Sequence, residues 1–380
     1  MKKLLCLLFL SLGPLLNAQE KEIDSLRYDY IGWAIDSTLY NENSDYINKL
    51  FDLKTFLKSV VIKSNDPEIK KMNNGFARGF RDSFDYGKII IREVGEEGTY
   101  DFFKSYVDEE QKYHLVFRLY VEDGLNYHDY KLDVTNGEPR IVDFYVYLTG
   151  ENFSQTLRTI YKTAMSANKK NFFGGTTNKF ASDLKKISAI KKLRIQGDFE
   201  RADKIYRTIS AESKKNKTFK LIGIIIAGSL NDESRMSKMI SDYEKSFPND
   251  PSLYLVSIDG AFVNEEYDRA LNLVNKLDEA IGGDDFLNYF RANLYYAKQD
   301  LKKAIEYVEI FTSDYSGFMD GYDTALTLYI ENGNNKKAIE TLDLFVTKFE
   351  LSKRDLIDSM KENFPNFSKQ KMFINWTKIK

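Results

Sequence analysis

Gln299-Asp300-Leu301-Lys302-Lys303-Ala304 and Gly333-Asn334-Asn335-Lys336-Lys337-Ala338 carry the same pattern: a polar turn, then a short run ending on alanine, at 304 and again at 338. Glu265-Glu266-Tyr267-Asp268-Arg269-Ala270 adds a third copy one equal step nearer the N-terminus, with its alanine at 270. Two more steps of the same size reach 236 and 202. Position 202 is alanine again, within Gly197-Asp198-Phe199-Glu200-Arg201-Ala202, whereas 236 is Met236. That departing unit supplies Phe247-Pro248 where a helix must stop. Self-similarity at a fixed period of this length marks stacked repeats. Gly197, Asn231, Asn264 and Gly333 tolerate the left-handed backbone that closes a helix, so each is expected at the turn between two paired helices. The alanine opens the second helix where it approaches the first. Ala304, Ile305, Val308 and Phe311, or Ala338, Ile339, Leu342 and Phe345, then follow at helical spacing. One such pair cannot bury its apolar face alone, so pairs are expected to stack.

This pattern resembles the tetratricopeptide repeat (TPR), a helix–turn–helix unit of about 34 residues. The resemblance covers about residues 183–352, as five units starting near Asp183, Lys217, Pro251, Asp285 and Met319. In the last unit Tyr322-x2-Ala325-Leu326-x2-Tyr329 stands where the family has Trp-x2-Leu-Gly-x2-Tyr, and Ala338-x3-Leu342 where it has Ala-x3-Phe. The resemblance implies a groove, lined by the first helix of each pair, that holds a protein or peptide partner. The matching positions are Asp259 and Phe262, then Phe286, Tyr289, Asn293 and Tyr296, then Asp320, Asp323 and Thr327. Phe262, Tyr289 and Tyr296 are expected as aromatic anchors, with Asn293 donating to a peptide backbone. The family's clamp for an acidic C-terminus needs Lys and Asn at successive groove positions. Leu255 and Asp259, then Tyr289 and Asn293, stand there instead, so such a tail is not the expected ligand. The segment Lys353–Lys380 carries Leu356, Ile357 and Met360 at helical spacing and is expected to cap the last pair.

Residues 20–150 carry no such repeat and read as an α+β domain, within a chain that is mainly α overall. Helices are expected over Ile31–Tyr40, Tyr46–Val61 with Asp45 as N-cap, and Pro67 to about Phe84. Four antiparallel strands follow: Tyr100–Val107, Tyr113–Val121, Leu125–Val134 and Arg140–Leu148. Asn136-Gly137 signals the last hairpin. Helices followed by a meander are similar in element order to the cystatin-like and NTF2-like architectures. Residues 151–182 are expected to form a connecting helix and hinge, with the hinge at Asn171–Thr177. A second reading places a small-ligand or glycan pocket in this domain, lined by Tyr113, Phe117, Asp143 and Tyr145.

Composition narrows the remaining classes. The 380 residues have a net charge of −2, so no basic field points to nucleic acid. With one cysteine and two histidines, neither a disulfide framework nor a Cys-based zinc site is expected. There is no Walker loop, no Gly-x-Ser-x-Gly elbow and no His-Glu-x-x-His pair, so we expect neither an enzyme nor a resident cofactor. Lys2 and Lys3, the apolar run Leu4–Leu12 and Leu16-Asn17-Ala18 read as a signal peptide over residues 1–18, which predicts export to the periplasm or beyond. Cys6 lies inside the apolar run rather than at a cleavage point, so no lipid anchor is expected.

Overall fold

The computed structural model describes residues 27–95, 98–121, 124–168, 177–248 and 250–378. The chain divides into two compact units, Met1–Val256 and Ser257–Lys380. The expected signal peptide and residues 171–176 of the expected hinge lie outside the described residues. The architecture is mainly α, with an antiparallel sheet near the N-terminus.

The first unit opens with α1 (27–40), α2 (Asp45–Leu50), α3 (Leu53–Val60), α4 (Pro67–Ser83) and α5 (Tyr86–Val94). The strands β1 (Thr99–Val107), β2 (Tyr113–Val121), β3 (Gly124–Thr135), β4 (Glu138–Val146) and β5 (Glu151–Asn152) form one five-stranded meander in chain order. Asn136 and Gly137 both take positive φ, 55° and 82°, as the β3–β4 hairpin turn requires.

One expected helix is interrupted. The 46–61 helix breaks at Phe51 and Asp52: Phe51 is extended and bridges Ile141, while the Asp52 carboxylate caps α3 by accepting from Thr55 N at 2.9 Å. Ser44, not Asp45, occupies the N-cap position of α2. The helix from Pro67 stops at Ser83, because Asp85 caps a new helix through Lys88 N.

One face of the sheet is closed by α1, α2 and α5, which pack Ile35, Ile47 and Ile90 against Leu115, Phe117, Tyr130, Ile141 and Phe144. A second core joins α3 and α4 to α6 (Phe153–Asn168) through Phe56, Val60, Ile69 and Tyr161.

The helical hairpins follow: α7 (Thr177–Ile195) with α8 (Phe199–Arg207), α9 (Lys217–Ser229) with α10 (Glu233–Ser246), α11 (Pro251–Val263) with α12 (Tyr267–Ile281), α13 (Leu287–Ala297) with α14 (Leu301–Asp314), and α15 (Met319–Glu331) with α16 (Asn335–Thr347). The second helices start at equal intervals, at 199, 233, 267, 301 and 335, which is the period of the alanines. Each preceding turn closes on a left-handed residue in the same phase: Gly197, Asn231, Glu265, Gln299 and Gly333. In the third hairpin this residue is Glu265 rather than the expected Asn264.

All five turns share two backbone bonds, as in Gly333 N to Ile330 O at 3.0 Å and Asn334 N to Tyr329 O at 2.8 Å, the paired closure of a Schellman motif. Asp198, Asp232, Asp300 and Asn334 then cap the second helices through their side chains, while Glu266 makes no such bond. Ala202, Ala270, Ala304 and Ala338 are fully buried, as is Met236 at the departing position.

The expected cap is a sixth hairpin. α17 (Lys353–Asn363) begins one further period after α15, and a 3₁₀ turn at Phe367–Lys369 leads into α18 (Lys371–Lys378). Met360, Phe367, Phe373 and Trp376 join the core of α15 and α16.

Within the first unit, Lys217 at the start of α9 ties the helical hairpins to the sheet. Its half-buried ammonium donates to Gly150 O, pairs with Asp250 and lies 3.3 Å from the Tyr145 hydroxyl. Gly150 sits at φ +68°, and a Cβ there would meet Lys217 Cε at 2.5 Å and Ser252 Oγ at 2.7 Å. Gly150→Ala should therefore cost about 1–3 kcal/mol, read as a lower urea midpoint.

Candidate functional site

The expected groove residues separate into distinct environments. Phe286 is corrected outright: it is 1% exposed and lies among Phe311, Tyr315 and Phe318, with ring centroids 5.3–5.4 Å away, so it is core rather than surface. Phe262 is open to solvent and sits edge-on to Tyr267 at 5.9 Å. The side chain of Asp259 lies outside the described residues. Asn293 turns back to donate to Tyr289 O at 2.9 Å, which occupies one of its two amide protons. Tyr296 donates to Glu331 Oε1 at 2.6 Å. This bond, with burial second, pushes its phenol up to about 12.

Two expected residues do come together. Tyr289 on α13 and Asp323 on α15 share a cavity of about 280 Å³ in the second unit. Its walls include Met319, Asp320 and Thr324 from α15, Phe345 from α16, and Leu356, Ser359 and Met360 from α17. Met319 remains 42% exposed, so the rim offers apolar surface. Desolvation first, and the neighbouring Asp320 second, raise the Asp323 carboxyl above its ordinary range. Two carboxyl groups beside apolar walls favour an incoming cation. The α17 wall is what the sequence reading missed; Lys353 falls in phase with Met319 and was the available signal.

The four alternative-pocket residues are not assembled into a cavity. Phe117 is fully buried, stacked on Tyr100 at 5.1 Å and edge-on to Tyr130 at 5.4 Å. Tyr113 stacks on Tyr28 at 3.6 Å. Asp143 accepts from Ser154 Oγ at 2.5 Å and Ser154 N at 3.2 Å, at the start of α6. Tyr145 faces Lys217 and Ser252 instead of the Phe117 core. A bulge in the β3–β4 ladder at Lys131/Leu132 turns both Ile141 and Phe144 inward, so Asp143 and Tyr145 fall away from Phe117.

Both histidines sit on strands, His114 on β2 and His128 on β3. His114 Nδ1 meets Asp129 Oδ1 at 2.6 Å and its Nε2 meets Asp108 Oδ2 at 3.1 Å, so both ring nitrogens are engaged. His128 is enclosed by Tyr86, Tyr100 and Asn126. Among the described residues no cluster of three or more His, Cys, Asp or Glu is arranged to hold a metal, and no helix is long and apolar enough to cross a membrane. No family model, curated protein or solved structure matches the chain.

Proposed function

We propose that the chain is an exported interaction protein of the TPR type, whose hairpins present a surface to a protein segment without chemistry. The observation that carries this reading is the cavity between α13, α15 and α17, in which Tyr289, Asp320 and Asp323 face apolar walls. Its composition suits a basic side chain flanked by a large apolar residue. The cation would relieve the Asp320–Asp323 pair, and the apolar residue would cover Met319 and Leu356. The constant phase of the hairpins supports the family reading, and Lys2, Lys3 and the run Leu4–Leu12 support export.

A positional-scanning peptide array on the full chain tests this. Wild type should enrich Lys or Arg beside Leu, Met or Phe. The double variant Asp320→Asn, Asp323→Asn should lose the basic preference, with about tenfold weaker binding to the best peptide. Enrichment without basic residues, or equal binding by the variant, would remove the cavity as the docking site.

A further inference from the structure

A second cleft lies in the first unit and has the opposite electrostatic character. It measures about 390 Å³ and is lined by Tyr206, Arg207, Lys214, Lys220, Arg235, Met239 and Asp242. The lining residues come from α8, the 3₁₀ turn Ser213–Lys215, the start of α9, and α10. Four are cations and one is a carboxylate.

The carboxylate next to the lining does not cancel this charge. Asp203, 6% exposed, accepts from Arg207 Nε at 2.7 Å and from Arg235 Nη2 at 2.7 Å, so one anion is shared by two guanidinium groups. Counting Asp203 and Asp242 against Arg207, Lys214, Lys220 and Arg235 leaves 4 − 2 = +2.

Among the described residues, neither lysine has a carboxylate hydrogen-bond partner. Lys214 donates to Arg207 O at 3.2 Å, and Lys220 to Asp242 O at 3.4 Å, both backbone carbonyls. The second terminal nitrogen of Arg235, Nη1, is enclosed with no hydrogen-bond partner among them, so this guanidinium is held in a partly desolvated place. Lys214 Nζ and Arg235 Cζ stand 4.9 Å and 5.9 Å from the centroid of the Tyr206 ring, two cations held over one aromatic ring. Desolvation, and then the charge of Arg235, hold the Lys214 ammonium below its usual range. Like charges brought together in a concave, partly desolvated place cost energy that a bound anion would return.

We infer that this cleft is a binding site for a phosphate-bearing ligand, a phosphomonoester or diphosphate group, with Lys214, Lys220 and Arg235 as its donors. Lysine ammoniums serve as point charges for such a group, and the Arg235 guanidinium adds its fixed positive charge. Tyr206 and Met239 supply a small apolar floor for whatever carries the phosphate. The group is the same whether it is carried by a soluble molecule or by a lipid headgroup.

Titration calorimetry on the full chain with inorganic diphosphate, beside flotation with phosphatidic acid vesicles against pure phosphatidylcholine vesicles, tests the inference and separates the two sources. Arg235 also holds Asp203, so the first variant is Lys214→Gln with Lys220→Gln, which leaves that pair intact. Saturable binding of diphosphate or of phosphatidic acid vesicles is expected for wild type. It should weaken about tenfold or more in the double variant, whose melting temperature should match wild type. Asp242→Asn should tighten it. Diphosphate binding assigns a soluble ligand, and vesicle binding alone assigns a headgroup. The inference is overturned if neither probe binds wild type, or if the double variant binds as tightly.

Discussion

Trp376→Ala should destabilise the last hairpin by about 3–5 kcal/mol, the range for truncating an enclosed aromatic side chain. Trp376 is 2% exposed, donates from Nε1 to Asp343 Oδ1 at 2.6 Å, and lies 5.7 Å from the Phe373 ring. It closes the core formed by Ala338, Leu342 and Phe345, which would otherwise meet water. Hydrogen exchange should show α17 and α18 opening at far lower denaturant than in wild type. Trp376→Phe, which keeps a ring and loses the bond to Asp343, should fall between the two. The cavity beside Asp323 takes one wall from Leu356, Ser359 and Met360, so peptide binding should drop with the hairpin. Equal protection of α17 in wild type and Trp376→Ala would show that α17 is held by α15 alone.

The hairpins were legible because their turns demand the same chemistry each time. A left-handed residue recurs in all five, a capping Asp or Asn in four of the five, and an enclosed alanine in four of the five, always in the same order. Glu265 and Gln299 broke the letter pattern while keeping the backbone, since the two Schellman bonds need a conformation and not a particular side chain. The groove was less legible. Helical spacing puts Phe286, Tyr289, Asn293 and Tyr296 along related faces of one helix region, but it does not say which face a neighbouring helix covers. Phe311, Tyr315 and Phe318 cover Phe286 and leave Tyr289 at the cavity wall. On the sheet, alternation alone pairs Asp143 with the inner face. The bulge beside Lys131 reverses that assignment, and no letter in β4 announces it. The cationic cleft combines residues from three helices and a 3₁₀ turn, so no single stretch of sequence displays it.

Acidification should unfold the sheet-containing unit through His128. Burial pushes this imidazole from its ordinary value down to about 3. The surrounding bonds explain why no proton is accommodated. Asn126 Oδ1 is taken by the N–H groups of Tyr127 at 2.9 Å and Leu148 at 2.8 Å, so its Nδ2 faces His128 Nε2 at 3.2 Å and donates there. The ring proton then sits on Nδ1, directed at the Tyr100 hydroxyl 3.0 Å away, which leads on to Tyr130 and Tyr86. A second proton would need the position Asn126 already fills. A depressed histidine stabilises the fold above the unfolded value of about 6.5, and that stability is lost as pH falls toward about 3. From pH 7 to pH 5 the loss is about 2 kcal/mol, and the whole window is worth about 5 kcal/mol. His114 has the opposite sign. Burial alone would lower it, but the bonds and charges of Asp129 and Asp108 prevail and raise it, so its contribution is complete below about 6.5 and fades as pH rises. Comparing wild type with His128→Gln cancels His114. The cost of the substitution should shrink by about 2 kcal/mol between pH 7 and pH 5 in urea denaturation, because the variant has no proton to take up on unfolding. A cost that stays constant across that range would mean that His128 takes up its proton in the fold as readily as in the unfolded chain, and the Nδ1–H assignment would fall with it.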